Sequence, residues 1–345
     1  MTKDLSITRR GLIGGAIATG TLPGISMPAI GQGRAKLSVQ GFGGAYEKIL
    51  REAIIPEFQK LHAIDVTLTI EDDTTLLPKL RIARNRSPYD VCTVDNSIAV
   101  AGAALDLWAP DQSAKMKNAP DIYKSSMPPK TANYGSIVYE YALVHSKEKL
   151  PNPQSWNDLW QPGLVIGVPH VTQSYGLTFL YIAALLHGGD IKNLDPGFAA
   201  IKALPKFKVY KNVSEGLGLF QQKEVDAALF YGHRGQQIID MGLPYAKAHP
   251  KEGTWGQRTG TQIPKGTSNL EGATAWVDYT LGVPYQTAFA PGLYSPTNSK
   301  VVLPPELAAK HVMGAATVEN LREVDWSVLL PQRDALIEKW TREIG

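Results

Sequence analysis

Four short stretches carry residue types that could hold a charged or polar ligand. In "QGFGGAY", Gly41, Phe42, Gly43 and Gly44 lead straight into residues with helical spacing. Such a turn places the free N–H groups of a helix N-terminus at a strand end, a setting that favours an anionic group. The same glycines also suit a plain tight turn, and their spacing does not match the dinucleotide fingerprint. In "VDN", Asp95 can pair with an ammonium group or cap the helix that follows, with Asn96 beside it. In "HVTQSYGL", Thr172, Ser174 and Tyr175 bring hydroxyls and free N–H groups to the start of an apolar helix, suited to a carboxylate or phosphonate. In "FYGHRGQQ", Arg234 either clamps an anionic head group through two parallel hydrogen bonds or stands exposed at a helix start. The acids Asp72 and Asp73 of "EDD" fit a solvated loop better than a site.

Catalytic chemistry finds little support. No G-x-S-x-G elbow occurs, and the seven histidines are scattered singly, without the spacing of a zinc site. Cys92 follows Val91 in an apolar run with no evident base nearby, so buried packing is its expected role. The chain is therefore expected not to be an enzyme, and no cofactor or metal is expected.

The elements that must position these residues can be read from the pattern. The chain has 345 residues, 43% hydrophobic and 19% charged, with 35 basic against 32 acidic side chains and a net charge of +3. That near balance points away from nucleic acid and membrane surfaces. The opening "SITRRGLIGGAIATGTLPG" joins paired arginines to a modest apolar run broken by Gly and Pro, which reads as an export signal of the twin-arginine type over residues 1–35. Roughly 310 residues remain, enough for two domains. From Val39 onward the order is strand, Gly-rich turn, helix, strand, acidic loop and helix, then "YDVCTV" as a third strand, so a parallel sheet with crossover helices is expected. "YGSIVYEYALVHS" reads as a long extended strand. A second α/β pattern begins at "SWNDLWQPGLVIGVPHV" and includes the buried strand "VDAALFY". The expected organisation is an N-terminal α/β lobe over 36–140, a second α/β lobe over 141–265, and a segment 266–345 returning to the first. Two such lobes joined by extended crossings form a cleft that closes by hinge motion, with ligand at the carboxyl ends of the strands.

Taken in order, "QGFGGAYEKILREAIIPEFQKLHAIDVTLT", "PYDVCTVDN", "SWNDLWQPGLVIGVPHV", "HPKEGTWGQRTGTQIPKGTSNLEGATAWVDYTL" and "APGLYSPTN" resemble the extracellular solute-binding proteins of bacterial ABC importers, in the group of spermidine/putrescine and ferric-ion binders. The resemblance spans nearly the whole chain after the signal. It implies a two-lobed type II periplasmic-binding-protein fold with a hinge of crossing strands, a small-molecule solute, no catalysis, and permease and ATPase partners; with the export signal and the charge balance, a periplasmic monomer that binds no nucleic acid is expected. It also implies that Tyr231 stacks on an aliphatic ligand and that Tyr294 lines the cleft. Where the polyamine pattern expects an aromatic and an aspartate before Ile263-Pro264, this chain has Gln257 and Thr259, with Trp255 and Arg258 beside them. No acid lies between Asp158 and Asp190, where polyamine binders carry one. These departures favour a zwitterion or small anion, such as an ω-amino acid or aminophosphonate, over a polyamine. A polyamine or ferric ion is the alternative within the group, although the tyrosines of "YEY", Tyr139 and Tyr141, fall in the crossing region, and an enzyme on the same two-lobed fold is the alternative of another class.

Overall fold

The computed structural model describes residues 34–72, 75–83, 85–127 and 133–345. Residues 1–33 of the expected export signal and Asp73 lie outside them, while its expected last residue, Ala35, already begins the first strand. The first lobe opens with β1 (Ala35–Gly41), a helical stretch of α1 (Ala45–Ile49), a π-turn and α2 (Ile55–His62), then β2 (Ile64–Ile70), α3 (Leu76–Ala83), β3 (Val91–Asp95) and α4 (Asn96–Ala104). β1 pairs in parallel with both β2 and β3. The β-branched and apolar runs that covered parallel strands need are present here: Leu37, Val39, Val91 and Val94 are fully buried. Cys92 is buried too, and desolvation pushes its thiol well above the ordinary range, so it is inert packing.

The long extended segment is β4 (Tyr134–Ser146), and it is the seam between the lobes. The second lobe follows with β5 (Ile166–Pro169), α5 (Ser174–Leu186), α6 (Asp195–Lys202), β6 (Phe207–Tyr210), α7 (Val213–Gln221), β7 (Ala227–Tyr231), α8 (Gly232–Asp240) and β8 (Tyr245–Ala248). The chain crosses back along β9 (Trp255–Gln262) and continues through α9 (Leu270–Leu281), α10 (Val283–Phe289), β10 (Ser295–Pro296), α11 (Pro305–Ala308) and α12 (Ala315–Val318). It ends in α13 (Trp326–Leu329) and α14 (Arg333–Glu343). The strand order is β2-β1-β3-β9-β4-β7-β5-β6, with β8 and β10 attached to β4. β9 is thus antiparallel to β3 of the first lobe and to β4, while the far half of β4 is antiparallel to β7.

Two cores result. One joins Leu37, Val39, Phe58, Val91, Trp276 and Phe289, so α9 and α10 rejoin the first lobe. The other surrounds α5, which is apolar on nearly every side and therefore buried along most of its length. Into this second core go Trp326, Leu329, Leu336 and Trp340. The last helices, grouped by sequence with the first lobe, join the core of the second: α14 packs on α6, with Trp340 edge-on to Phe198, while α13 also rests on α4 of the first lobe.

Backbone approach fixes the start of α5. A Cβ on Gly176 would lie 2.1 Å from the His170 carbonyl oxygen, so only glycine lets the helix N-terminus sit this close to the end of β5.

Candidate ligand-binding site

Between the lobes lies a cleft of about 800 Å³. Strand ends and helix starts supply its walls, as sheet topology of this kind requires. From the first lobe come Phe42 and Gly43 in the turn after β1, Tyr46 on α1, and Asp95 and Ser97 at the β3–α4 junction. From the second come Thr172, Gln173 and Ser174 before and at the start of α5, and Tyr231, His233 and Arg234 across the β7–α8 junction. Tyr139 of β4 and Tyr294 complete the wall at the seam.

The aromatic residues form a connected surface. Tyr139 lies 5.7 Å from Tyr231, 5.0 Å from His233 and 6.0 Å from Tyr294, ring centre to ring centre. Tyr46 stands 5.9 Å from Tyr294 and Phe42 5.6 Å from Tyr46. Burial holds the Tyr139, Tyr231 and Tyr294 phenols above their ordinary range, so this surface is uncharged. Tyr139 and Tyr141, two apart on β4, do face one way, and both rings pack on Tyr231. Tyr141 reaches behind the wall, where its hydroxyl and that of Ser174 donate to Gln257 Oε1 at 2.5 and 2.8 Å.

Charge enters at few points. Arg234 Nη1 donates to Gln237 Oε1 at 3.0 Å, while its buried Nε has no partner among the described residues. Asp95 occupies the N-cap position of α4, yet its side chain makes no cap hydrogen bond and accepts from the Thr259 hydroxyl instead. Thr172 Oγ1 bonds His170 Nδ1 at 2.9 Å. Exposed Asp72, Arg81 and Asp334 sit at the rim.

The remaining expected residues lie away from this cleft. Strand alternation turns Arg258 to the face of β9 opposite Gln257 and Thr259. There its guanidinium, 4% exposed, donates to Glu323 Oε2 and to the Val318 carbonyl, each at 2.9 Å. Asn96 donates to Glu323 Oε1 at 3.0 Å. Tyr175 is rotated around α5 into the core, between Tyr210 and Tyr231. Trp255, at the second-lobe end of β9, packs edge-on to Tyr181 under the Arg322 guanidinium. Gly44, at φ 70°, is exposed and serves the turn alone. Sequence reasoning missed Tyr46, Tyr139, Ser97, Trp326, Leu330 and Arg333, all of which line the cleft. An aromatic at helical spacing could have flagged Tyr46, but nothing local foretells that the C-terminal helices reach the cleft.

His233 makes a testable contribution. Burial, then the neighbouring Arg234 charge, lowers its pKa to about 3, so the imidazole is neutral. Burial also lowers His145, His170 and His311, whereas the Glu140 hydrogen bond raises His249. A histidine held neutral in the fold takes up its proton only on unfolding, so stability falls as pH drops below the unfolded value of about 6.5. For His233 the slope reaches about 1.4 kcal/mol per pH unit, and His249 opposes it. The melting temperature should therefore fall from pH 7 to pH 5, and His233→Asn should flatten that fall. An identical pH profile in the variant would show that His233 is not held neutral.

Comparison with known proteins agrees with this architecture. Residues 43–287 match the family model of bacterial extracellular solute-binding proteins. No curated protein sequence matches the chain. Among solved structures, an ABC transporter protein from Clostridium perfringens superposes with a TM-score of 0.79 at 24% identity, covering 90% of this chain and 100% of that one. An extracellular solute-binding protein from Bordetella parapertussis gives 0.78 at 17% identity, covering 90% and 99%. A GABA receptor of the same architecture gives 0.72 at 18% identity, covering 89% and 96%. No helix among the described residues is long and apolar enough to cross a membrane. The two lobes, the cleft at their strand ends and the family match over most of the chain agree: the chain belongs to the bacterial extracellular solute-binding proteins.

Proposed function

We propose that the protein captures a zwitterion or small anion, an ω-amino acid or aminophosphonate, and delivers it to an ABC permease and ATPase. The observation that carries this reading is Arg234, at the N-terminus of α8 with its buried Nε unpartnered, beside a wall of neutral tyrosines. An anionic group on Arg234 satisfies a donor that otherwise stays unmet, and the rings cover an aliphatic chain. Asp95, with Asp72 at the rim, faces an ammonium end from the first lobe. A neighbour described as a GABA receptor supports the same class, since GABA is an ω-amino acid. A polyamine is disfavoured because the inner second-lobe wall offers cations rather than acids. Ferric ion is the second reading, favoured by the clustering of Tyr139, Tyr231 and Tyr294, with Tyr46 behind them.

A ligand touching both lobes stabilises the closed form by its differential affinity, and the permease then recognises the closed surface. The protein acts as a monomer in the periplasm, exported by the twin-arginine route, and returns its solute unchanged. A thermal-shift screen tests this with γ-aminobutyrate, 2-aminoethylphosphonate, putrescine, spermidine and ferric citrate, because binding to the native state alone raises the melting temperature. Shifts with the first two are expected. A response to polyamines alone overturns the charge argument, and one to ferric citrate alone favours the second reading.

A further inference from the structure

The second lobe reaches the cleft with two half-buried arginines on separate elements. Arg234 is the third residue of α8, which follows β7 directly, and Gln237 anchors it. Arg333 is the first residue of α14, and its Nη2 donates at 3.0 Å to the carbonyl of Thr172, in the loop between β5 and α5. No other hydrogen bond of the Arg333 side chain is found among the described residues, and the side chain lines the cleft. β5 and β7 are neighbouring parallel strands, about 4.8 Å apart. The two guanidinium groups are therefore held by different partners, Gln237 within α8 and the Thr172 carbonyl in the loop after β5. Facing them from the first lobe are half-buried Asp95 and, exposed at the rim, Asp72 and Arg81, while Asp334, next to Arg333 on α14, is also exposed at the rim.

Closure removes water from these groups, and a buried cation is costly unless a partner replaces its hydration. The two arginines are held by different partners on different elements, and two acid groups would give each its own charge-assisted partner. We infer that the solute is an amine bearing two acid groups, one held by Arg234 and the other by Arg333, with the carbon chain between them lying along the tyrosine wall. This rests on the zwitterion reading and narrows it. Arg333 is then a specificity-determining residue supplied by the C-terminal helix. Its bond to Thr172 also places it beside the N-terminus of α5, where Gln173 gives no side-chain cap, so the N–H groups there add to the same anionic setting.

Titration calorimetry on the full chain after its signal distinguishes the possibilities with three six-carbon probes: 6-aminohexanoate with one acid and an amine, adipate with two acids, and 2-aminoadipate with both. 2-Aminoadipate should bind at least tenfold more tightly than either other probe. Arg333→Gln should bring the ratio between 2-aminoadipate and 6-aminohexanoate close to one, and Arg333→Lys should retain part of it. Melting temperatures near that of the parent for both variants separate lost recognition from lost folding. Equal binding of 2-aminoadipate and 6-aminohexanoate, or a preference that survives in folded Arg333→Gln, overturns the two-acid inference and leaves the zwitterion reading standing. If none of the three binds while putrescine does, the zwitterion reading and the inference fall together.

Discussion

Arg234→Ala should weaken solute binding by more than tenfold, at least about 1.4 kcal/mol, with the melting temperature of the unliganded protein close to unchanged. Among the described residues the side chain makes a single hydrogen bond, to Gln237, so its removal costs the fold little. Its value lies with the ligand: a charge-assisted, bidentate contact in a site that closes over it is far stronger than the same contact in water. Arg234→Lys should recover only part of the loss, because a point charge cannot reproduce the planar pair of donors. Calorimetry on the ligand found by the thermal-shift screen checks both variants. Normal affinity in a folded Arg234→Ala protein would falsify the clamp.

A comparably large effect is expected at the opposite face of the seam, this time on stability. Glu323→Ala should destabilise the protein by about 3–5 kcal/mol, since it strands the Arg258 charge in a nearly water-free setting. The pair is deep, with side-chain exposures of 4% for Arg258 and 13% for Glu323. Burial raises the Glu323 carboxyl despite the pull of Arg258, a sign of how costly the unpaired charge is there. The same carboxylate also receives Asn96, and the Trp326 indole donates to it at 3.4 Å. Replacing both partners together, Arg258→Met with Glu323→Leu, should recover most of the loss, because no charge is then left without a partner. Denaturation midpoints for the single and double variants decide the point. A single variant as stable as the parent would mean that water reaches the pair.

The alternation of short strands and helices made the two lobes readable, because each buried strand and amphipathic helix signals itself within about ten residues. β3, β5 and β7 are examples, as is the long β4. The cleft lining was readable where it follows a strand end: Phe42, Asp95, Ser174, Tyr231 and Arg234 all stand at such junctions and all line the cleft. It was unreadable where orientation decides. Arg258 and Gln257 are adjacent, and only the pleat sends the arginine to the ion pair and the glutamine toward Ser174 and Tyr141. Tyr139 looked like a residue of the crossing because a crossing strand and a cleft wall have the same local pattern. Arg333 was invisible for a different cause, since its position depends on where a terminal helix docks, and an amphipathic pattern names a buried face but not its partner.

That docking also governs how the chain can be assembled during synthesis. The core around α5 contains Trp326 and Trp340, so the middle of the chain leaves the ribosome well before the residues that complete its packing. The first lobe is in the same position, since α9 and α10 arrive after an entire intervening lobe. Neither half can finish in the order it is made, and both depend on contacts between residues far apart in sequence, which slows folding and prolongs the exposure of unfinished apolar surface. Messages cut short near the end would thus yield no usable half-protein, and a chain of this wiring is committed to maturing as a whole.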